Sequence, residues 1–293
     1  MSETIRYSDE GRNKRRLLIR KATNVVMFSL TGLCTLIVLG SLFTILSYLF
    51  WNGGRYLNWN FFTKLPAPVG EEGGGMANAI IGSAKILGIA CAIGLPLGFL
   101  GGIYLAEYKG RTFGFVVRYA ADLLNGIPSI VIGIFVYTLI VLAGKPPHFS
   151  AWAGGFALGI MMIPIALRST EEFLRAVPKS MREGALALGA TRGQMIVTVI
   201  VPAATRGIVA GMMLDVARVA GETAPLLFTS FSNRFWSSGI DKPTASLPVM
   251  IFTYAIGPYD DWHRQAWAAG FVLLVLVLFF NITSRLLFMI RRR

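Results

Sequence analysis

Apolar runs and short polar breaks alternate along most of this chain. Six segments are apolar for about the 20 residues that a membrane-crossing helix needs: 25–50, 77–105, 117–143, 152–174, 203–228 and 265–290. Lys85 interrupts the second, and the fifth is the least apolar of the six. The run 247–256 in the last long connection is too short to span, so the pattern predicts a short helix lying in the interface or packed over a bundle. Pro96, Pro128 and Pro164 fall inside the second, third and fourth runs, where a missing backbone donor predicts a kink in each. Glycines recur at spacing four at 94, 98 and 102, at 155 and 159, and at 207 and 211, a pattern that lets helix backbones approach closely.

The composition agrees. Of 293 residues, 54% are hydrophobic and 15% charged, against about 25% charged in a soluble domain. The expected fold is an all-α integral membrane protein: an N-terminal arm over 1–24, then one transmembrane domain over 25–293.

The net charge of +13 does not point to nucleic acid, since the basic residues cluster at alternate helix ends instead of lining an aromatic-studded groove. Arg6, Arg12, Lys14, Arg15, Arg16, Arg20 and Lys21 precede the first span. Lys109, Arg111 and Arg118 follow the second, Arg175, Lys179, Arg182 and Arg192 follow the fourth, and Arg285 with Arg291, Arg292 and Arg293 closes the chain. The other connections hold only Arg55, Lys64, Lys145, Arg234, Lys242 and Arg264. Positive residues mark cytoplasmic ends, so both termini of a multi-pass membrane protein are expected inside. Trp51 and Trp59 suit the outer interface.

Candidate enzyme chemistry is sparse. There is no G-x-x-x-x-G-K-[ST] loop, so ATP is not bound by that motif. His148 and His263 lie in outer connections, and Cys34 and Cys91 lie in apolar runs with no metal spacing. The glycine run after Val69 lacks the Lys-Ser/Thr of a phosphate loop and reads as a linker.

Two stretches carry more. Within 216–228, "VARVAGETAPLLF", Arg218 and Glu222 sit in an apolar run; with Asp215 they fall at i, i+3 and i+7, one face of a helix. A charge there costs at least ~3 kcal/mol at the bilayer centre, so that face is expected to look into the bundle, at a partner or into a water-filled path. Either Arg218 is neutralised by its acidic neighbours and fixes helix register, or it is a switchable cation for an oxyanion, whose tetrahedral oxygens suit a guanidinium. Arg168, near the inner end of the fourth span, either faces the same path or snorkels to the interface. Lys85 is expected to snorkel outward, and Asp122 sits at the entry to the third span.

The second stretch is 177–207, with a coupling segment at about 177–202. Pro178 suits a first helical position, Met181, Ala185 and Leu188 fall on one predicted face, and Gly189 is placed to stop the helix. Thr191 and Gln194 have the spacing of a capping box, and Pro202 is expected to disturb the helix that follows. This is either an ordinary connection or a helical knob shaped for a groove on a soluble partner.

"EGALALGATRGQMIVTVIVP" resembles the signature of the permease subunits of binding-protein-dependent ABC importers. Glu183, Ala185, Gly189 and Pro202 match in register, while Gly184, Val199 and Val201 depart mildly from it. The resemblance narrows to the A-type permease of the phosphate-specific importers at "ARVAGETAPLLFT", "IPIALRSTEEFLRAVPKSMREGA", residues 125–129, "FSNRFW" and "LPVMIF", over roughly 75–290. It implies six spans and a permease, not an enzyme, with Arg218, Glu222, Arg168 and Asp215 along a phosphate path. It also implies a coupling helix at Glu183, Ala185, Leu188 and Gly189. Implied partners are a second, non-identical permease, two ATPase subunits, an extracytoplasmic phosphate-binding protein and membrane lipid; ATP and Mg would be bound by the ATPase and no cofactor by this chain. A permease for sulfate or molybdate, and a non-transporting scaffold of a signalling complex, are the alternatives.

Overall fold

The computed structural model describes residues 3–108, 111–144 and 148–290, with side chains described for 16–108, 112–144 and 148–283. Arg6, Arg12, Lys14, Arg15, Lys109, Arg111, Lys145, Arg285, Arg291, Arg292 and Arg293, which enter the orientation argument, lie outside the described side chains. The described backbone is helical, apart from turns and one isolated bridge between Pro66 and Gly74.

The chain divides into two units, Met1–Trp51 and Asn52–Arg293. The first is formed by α1 (Glu3–Arg55) as far as Trp51; its apolar stretch from Arg16 onward is long enough to cross a membrane and keeps nearly all its side chains exposed. A helix apolar all round suits lipid or another apolar surface, not water.

The second unit takes in the last turn of α1 and then the short α2 (Trp59–Thr63), capped by Asn58, whose side chain accepts from the Phe61 N–H at 2.8 Å. Then come α3 (Ala77–Glu107), α4 (Arg111–Gly126) and α5 (Ser129–Val136), the last continued by a π turn to Val141. After α6 (Ala151–Arg175) and the short α7 (Lys179–Ala187), α8 (Arg192–Met195) runs through a second π turn, Ile196–Ile200, into α9 (Val201–Val219). The rest is α10 (Ala224–Thr229), α11 (Leu247–Ala255) and α12 (Asp260–Ile290).

Five helical stretches are long and apolar enough to cross a membrane: 16–55, 77–107, 151–175, 192–219 and 260–283. The third expected span is instead the pair α4 and α5, bent by 100°. The prolines explain why. Pro128 has no N–H to give the turn before it and biases Ile127 toward extended backbone, and α4 ends at Gly126. Pro96 and Pro164 lie inside α3 and α6, which run on through them, so the kinks expected there do not break either helix.

The spine of the unit is α3 against α6. A Cβ added at Gly98 would meet the Ile163 carbonyl and the Leu167 amide at 3.0 Å, Gly94 lies against Met162 and Gly159, and Gly102 against Thr170. On the facing helix, Gly155 lies against Ile89 and Gly159 against Ile93. Each step of four on α3 meets a step of four on α6 in the same direction, so the two run parallel with backbones in close contact. The expected glycine packing is therefore found, on these two helices and again where Gly207 meets Phe173 and Gly211 meets Ser169.

The connection 230–246 is stitched to α3. The Lys85 ammonium donates to the Ser237 carbonyl at 2.8 Å, the Asn78 amide to the Asn233 carbonyl at 2.6 Å, and the Leu247 N–H to Ser83 Oγ at 2.7 Å. Lys85 thus holds a loop where snorkelling was expected. α11 is packed into the bundle, with Leu247, Val249, Met250 and Tyr254 buried.

Candidate functional site

The helix expected over 203–228 is interrupted. α9 ends at Val219 and α10 starts at Ala224, and the four residues between form a tight turn. The Gly221 N–H donates to the Arg218 carbonyl at 3.2 Å and the Glu222 N–H to the Val219 carbonyl at 3.1 Å, i→i+3 closures in place of α-helical ones. Gly221 is a weak helix former, and Pro225 at the start of α10 has no N–H to give the preceding turn. Asp215, Arg218 and Glu222 therefore do not share one helix face: Glu222 lies beyond the helix end.

This break meets the break between α4 and α5. Gly133 of α5 packs on Pro225 of α10, where an added Cβ would stand 3.1 Å from the Pro225 carbonyl. Between the breaks is a cavity of about 310 Å³, lined by residues 124–129 on one side and Arg218, Val219 and Glu222 on the other, with Ile132, Met161 and Ile165 behind. Broken helices at membrane depth are tolerated where they line such a cavity. Its polar groups are Arg218, Glu222, Asn125 and Ser129, and the first N–H groups of α5 have no partner within their own helix. Arg218 is exposed and, among the described residues, has no acidic oxygen within 4.0 Å. A free guanidinium beside a helix N-terminus is suited to an anion.

Asp215 lies one turn earlier on α9 and is only 1% exposed; neither carboxylate oxygen has a hydrogen-bond partner among the described residues. It does not line the cavity. A separate cavity of about 400 Å³ between α3, α9, α11 and α12 is lined almost wholly by apolar side chains such as Ile86, Leu87, Leu276 and Phe280, and offers an anion nothing.

Arg168 is neither in the Arg218 cavity nor snorkelling alone. It pairs with Asp122 of α4 and with Glu171 at 3.5 Å. Glu171, only 3% exposed, also takes Arg118 at 2.7 Å and Arg175 at 2.8 Å. Arg118 reaches on to the Leu105 carbonyl at 2.9 Å, so one carboxylate ties α3, α4 and α6 together. Reading the sequence missed Glu171, although Arg168, Glu171 and Arg175 stand at i, i+3 and i+7 and advertise a charged helix face.

At the coupling segment, Pro178 caps α7 from one position before its start, and Gly189 ends it at φ +86°, with the Ala190 N–H returning to the Ala185 carbonyl at 3.2 Å. The capping box forms: Thr191 Oγ1 accepts from the Gln194 N–H at 3.3 Å and Gln194 Oε1 from the Thr191 N–H at 2.9 Å. Pro202 follows the π turn and leaves the helix unbroken. The expected face of α7 divides, however. Ala185 is buried among Leu174, Val177, Met195 and Ile196, Met181 is 40% exposed, and Leu188, at the helix end, is 91% exposed. Glu183 is exposed. Arg182 ties α7 down, donating to Glu107 Oε1 at 2.9 Å and to the Leu174 and Val177 carbonyls at 2.6 Å.

A family model for the binding-protein-dependent transport system inner membrane component matches residues 98–290. This chain belongs to that family. Its relatives include a phosphate transport system permease protein PstA of Yersinia pestis, 47% identical over 78% of this chain and 77% of the relative, and one of Haemophilus influenzae, 45% identical over 93% and 96%. A probable PstA of Methanocaldococcus jannaschii is 33% identical over 89% and 92%. Among solved structures, an inward-facing MetNI methionine ABC transporter chain is similar at TM-score 0.57 and 17% identity, over 74% of this chain and 94% of that one. A chain of an amino acid ABC transporter is similar at TM-score 0.55 and 18% identity, over 71% and 90%. These likenesses show the permease fold. The permease is thus a multi-pass protein of the cytoplasmic membrane, and its matched region holds both helix breaks, the Glu171 cluster and α7.

Proposed function

We propose that this chain is the membrane permease subunit of an ATP-driven importer of inorganic phosphate, with the anion passing Arg218. The observation that carries the reading is the cavity between the two helix breaks. It holds a guanidinium with no ion pair among the described residues, beside the N-terminus of α5. A structural arginine would sit in an ion pair; Arg218 makes none among the described residues and stands open to a mobile anion. The names of the relatives supply phosphate as the substrate class.

In this reading both termini lie inside and the chain forms half of a path completed by a second, non-identical permease. An extracytoplasmic binding protein delivers phosphate, and two ATPase subunits on separate chains bind ATP and Mg. The outward Leu188 and Glu183 of α7 are available to an ATPase groove, while Ala185 and Arg182 fix α7 to the bundle. Arg168 and Asp215 act behind the path: Arg168 holds the wall through Asp122 and Glu171, and Asp215 is a nearby carboxyl toward which Arg218 can turn when no anion is present.

The test is uptake of labelled phosphate into proteoliposomes holding the whole transporter, with and without ATP and with sulfate as competitor. Arg218→Gln is expected to lower uptake roughly a hundredfold, since a lost charged hydrogen-bonding partner costs about 3 kcal/mol and each 1.4 kcal/mol is tenfold. The subunits should copurify at the wild-type ratio. Undiminished uptake in that variant would exclude the proposed path.

A further inference from the structure

Glu222 is out of place in a cavity built only to attract anions. In a continuous helix its four-residue spacing from Arg218 would pair the two side chains. The break after Val219 prevents this: both line one cavity, and no ion pair joins them within 4.0 Å. Nor does the Glu222 side chain accept a hydrogen bond from any described residue. The backbone thus holds a cation and an unpaired carboxylate apart in about 310 Å³.

An ionised carboxylate only accepts hydrogen bonds. An oxyanion without a proton would set lone pairs and negative charge against it, an arrangement that rejects. An oxyanion that keeps an O–H can donate that proton to the carboxylate in a short, charge-assisted bond while its other oxygens take Arg218, Asn125 and Ser129. Near neutral pH inorganic phosphate and arsenate keep at least one O–H; sulfate, molybdate and monofluorophosphate keep none.

We propose that Glu222 is a selectivity residue of the permease itself, admitting oxyanions that carry a proton and rejecting those that do not. This rests on the reading that the anion passes Arg218. It places discrimination between phosphate and sulfate in the membrane path as well as in whatever delivers the substrate.

The experiment avoids delivery altogether. In the assembled transporter without binding protein, with Cys34 and Cys91 replaced, Ile127→Cys puts a thiol on the cavity lining, and its rate of modification by a methanethiosulfonate reagent is measured with each anion present. Phosphate and arsenate are expected to protect at concentrations about tenfold below those at which sulfate or monofluorophosphate protects. Glu222→Gln should bring the two groups to within about twofold, and Glu222→Asp should keep most of the difference. Copurification of all subunits shows that each variant assembles. Equal protection by sulfate and phosphate in the parent protein, or undiminished discrimination in Glu222→Gln, overturns the proposal and leaves the Arg218 path standing. Protection by no anion, or protection that survives Arg218→Gln, removes the path and the proposal with it.

Discussion

Arg118 of α4 donates to Glu171 of α6 at 2.7 Å, and Glu171 is almost wholly buried while Arg118 is partly open. Two further arginines, Arg168 and Arg175, converge on the same carboxylate. Removing that charge leaves the arginines facing each other. Glu171→Gln is therefore expected to destabilise the transporter by about 2–3 kcal/mol, below the full cost of orphaning a buried charge because the arginines can hydrate. Thermal unfolding of the purified complex measures it; an unchanged midpoint would show that the cluster holds nothing.

Asp215 predicts the opposite sign. Its oxygens are buried and have no hydrogen-bond partner among the described residues, so the folded state carries their desolvation with no hydrogen bond in return. Asp215→Leu is expected to raise stability by roughly 1–3 kcal/mol, and to lower phosphate uptake if the carboxyl holds Arg218 between transport events. A stabilised variant with full uptake would reduce Asp215 to a structural relic.

Glycine replacements separate close packing from open surface. Gly98→Ala would press a methyl against the Ile163 carbonyl and Leu167 amide of α6, whereas a Cβ at Gly88 on the same helix meets nothing within 4 Å. The first should cost about 1–3 kcal/mol, while the second, a helical glycine with room for a methyl, should stabilise by up to about 1 kcal/mol, as read from unfolding midpoints in one detergent.

Gly189 and Gly184 form a second pair. Gly189 holds φ +86°, a backbone region in which an L side chain costs about 1–2 kcal/mol. Gly184 is inside α7 with open space around it, so Ala there should favour the helix by about 0.5–1 kcal/mol. Gly189→Ala is expected to lower the ratio of phosphate moved to ATP hydrolysed, and Gly184→Ala to leave it unchanged.

Much of this was legible in the sequence, because the bilayer imposes length and polarity on each span in a way that composition alone betrays. The capping box at Thr191 and the stop at Gly189 were legible for a similar reason: they are local backbone chemistry. What escaped depends on contacts between distant elements. Pro96, Pro128 and Pro164 look alike in sequence, and Gly94 stands before Pro96 as Gly126 does before Pro128; the stretch around Pro96 is held by its backbone contact with α6 at Gly94 and Gly98. Glu222 appeared to continue the face of Arg218 because helical spacing presumes a helix, and the helix stops at Val219. The division of α7 between Ala185 and Leu188 needs the buried partners of Ala185, which lie on α6 and along 195–208.

The shared backbone surface of α3 and α6 bears on movement. Helices that close, with glycine set against main chain over several turns, have no slack in which to slide or bend separately. Arg182 grips the far ends of both, through Glu107 of α3 and the Leu174 carbonyl of α6. A displacement applied at α7 would accordingly reach the two as one stiff lever, and the two helix breaks around Arg218, where the ladder of backbone bonds is already open, are where give is expected.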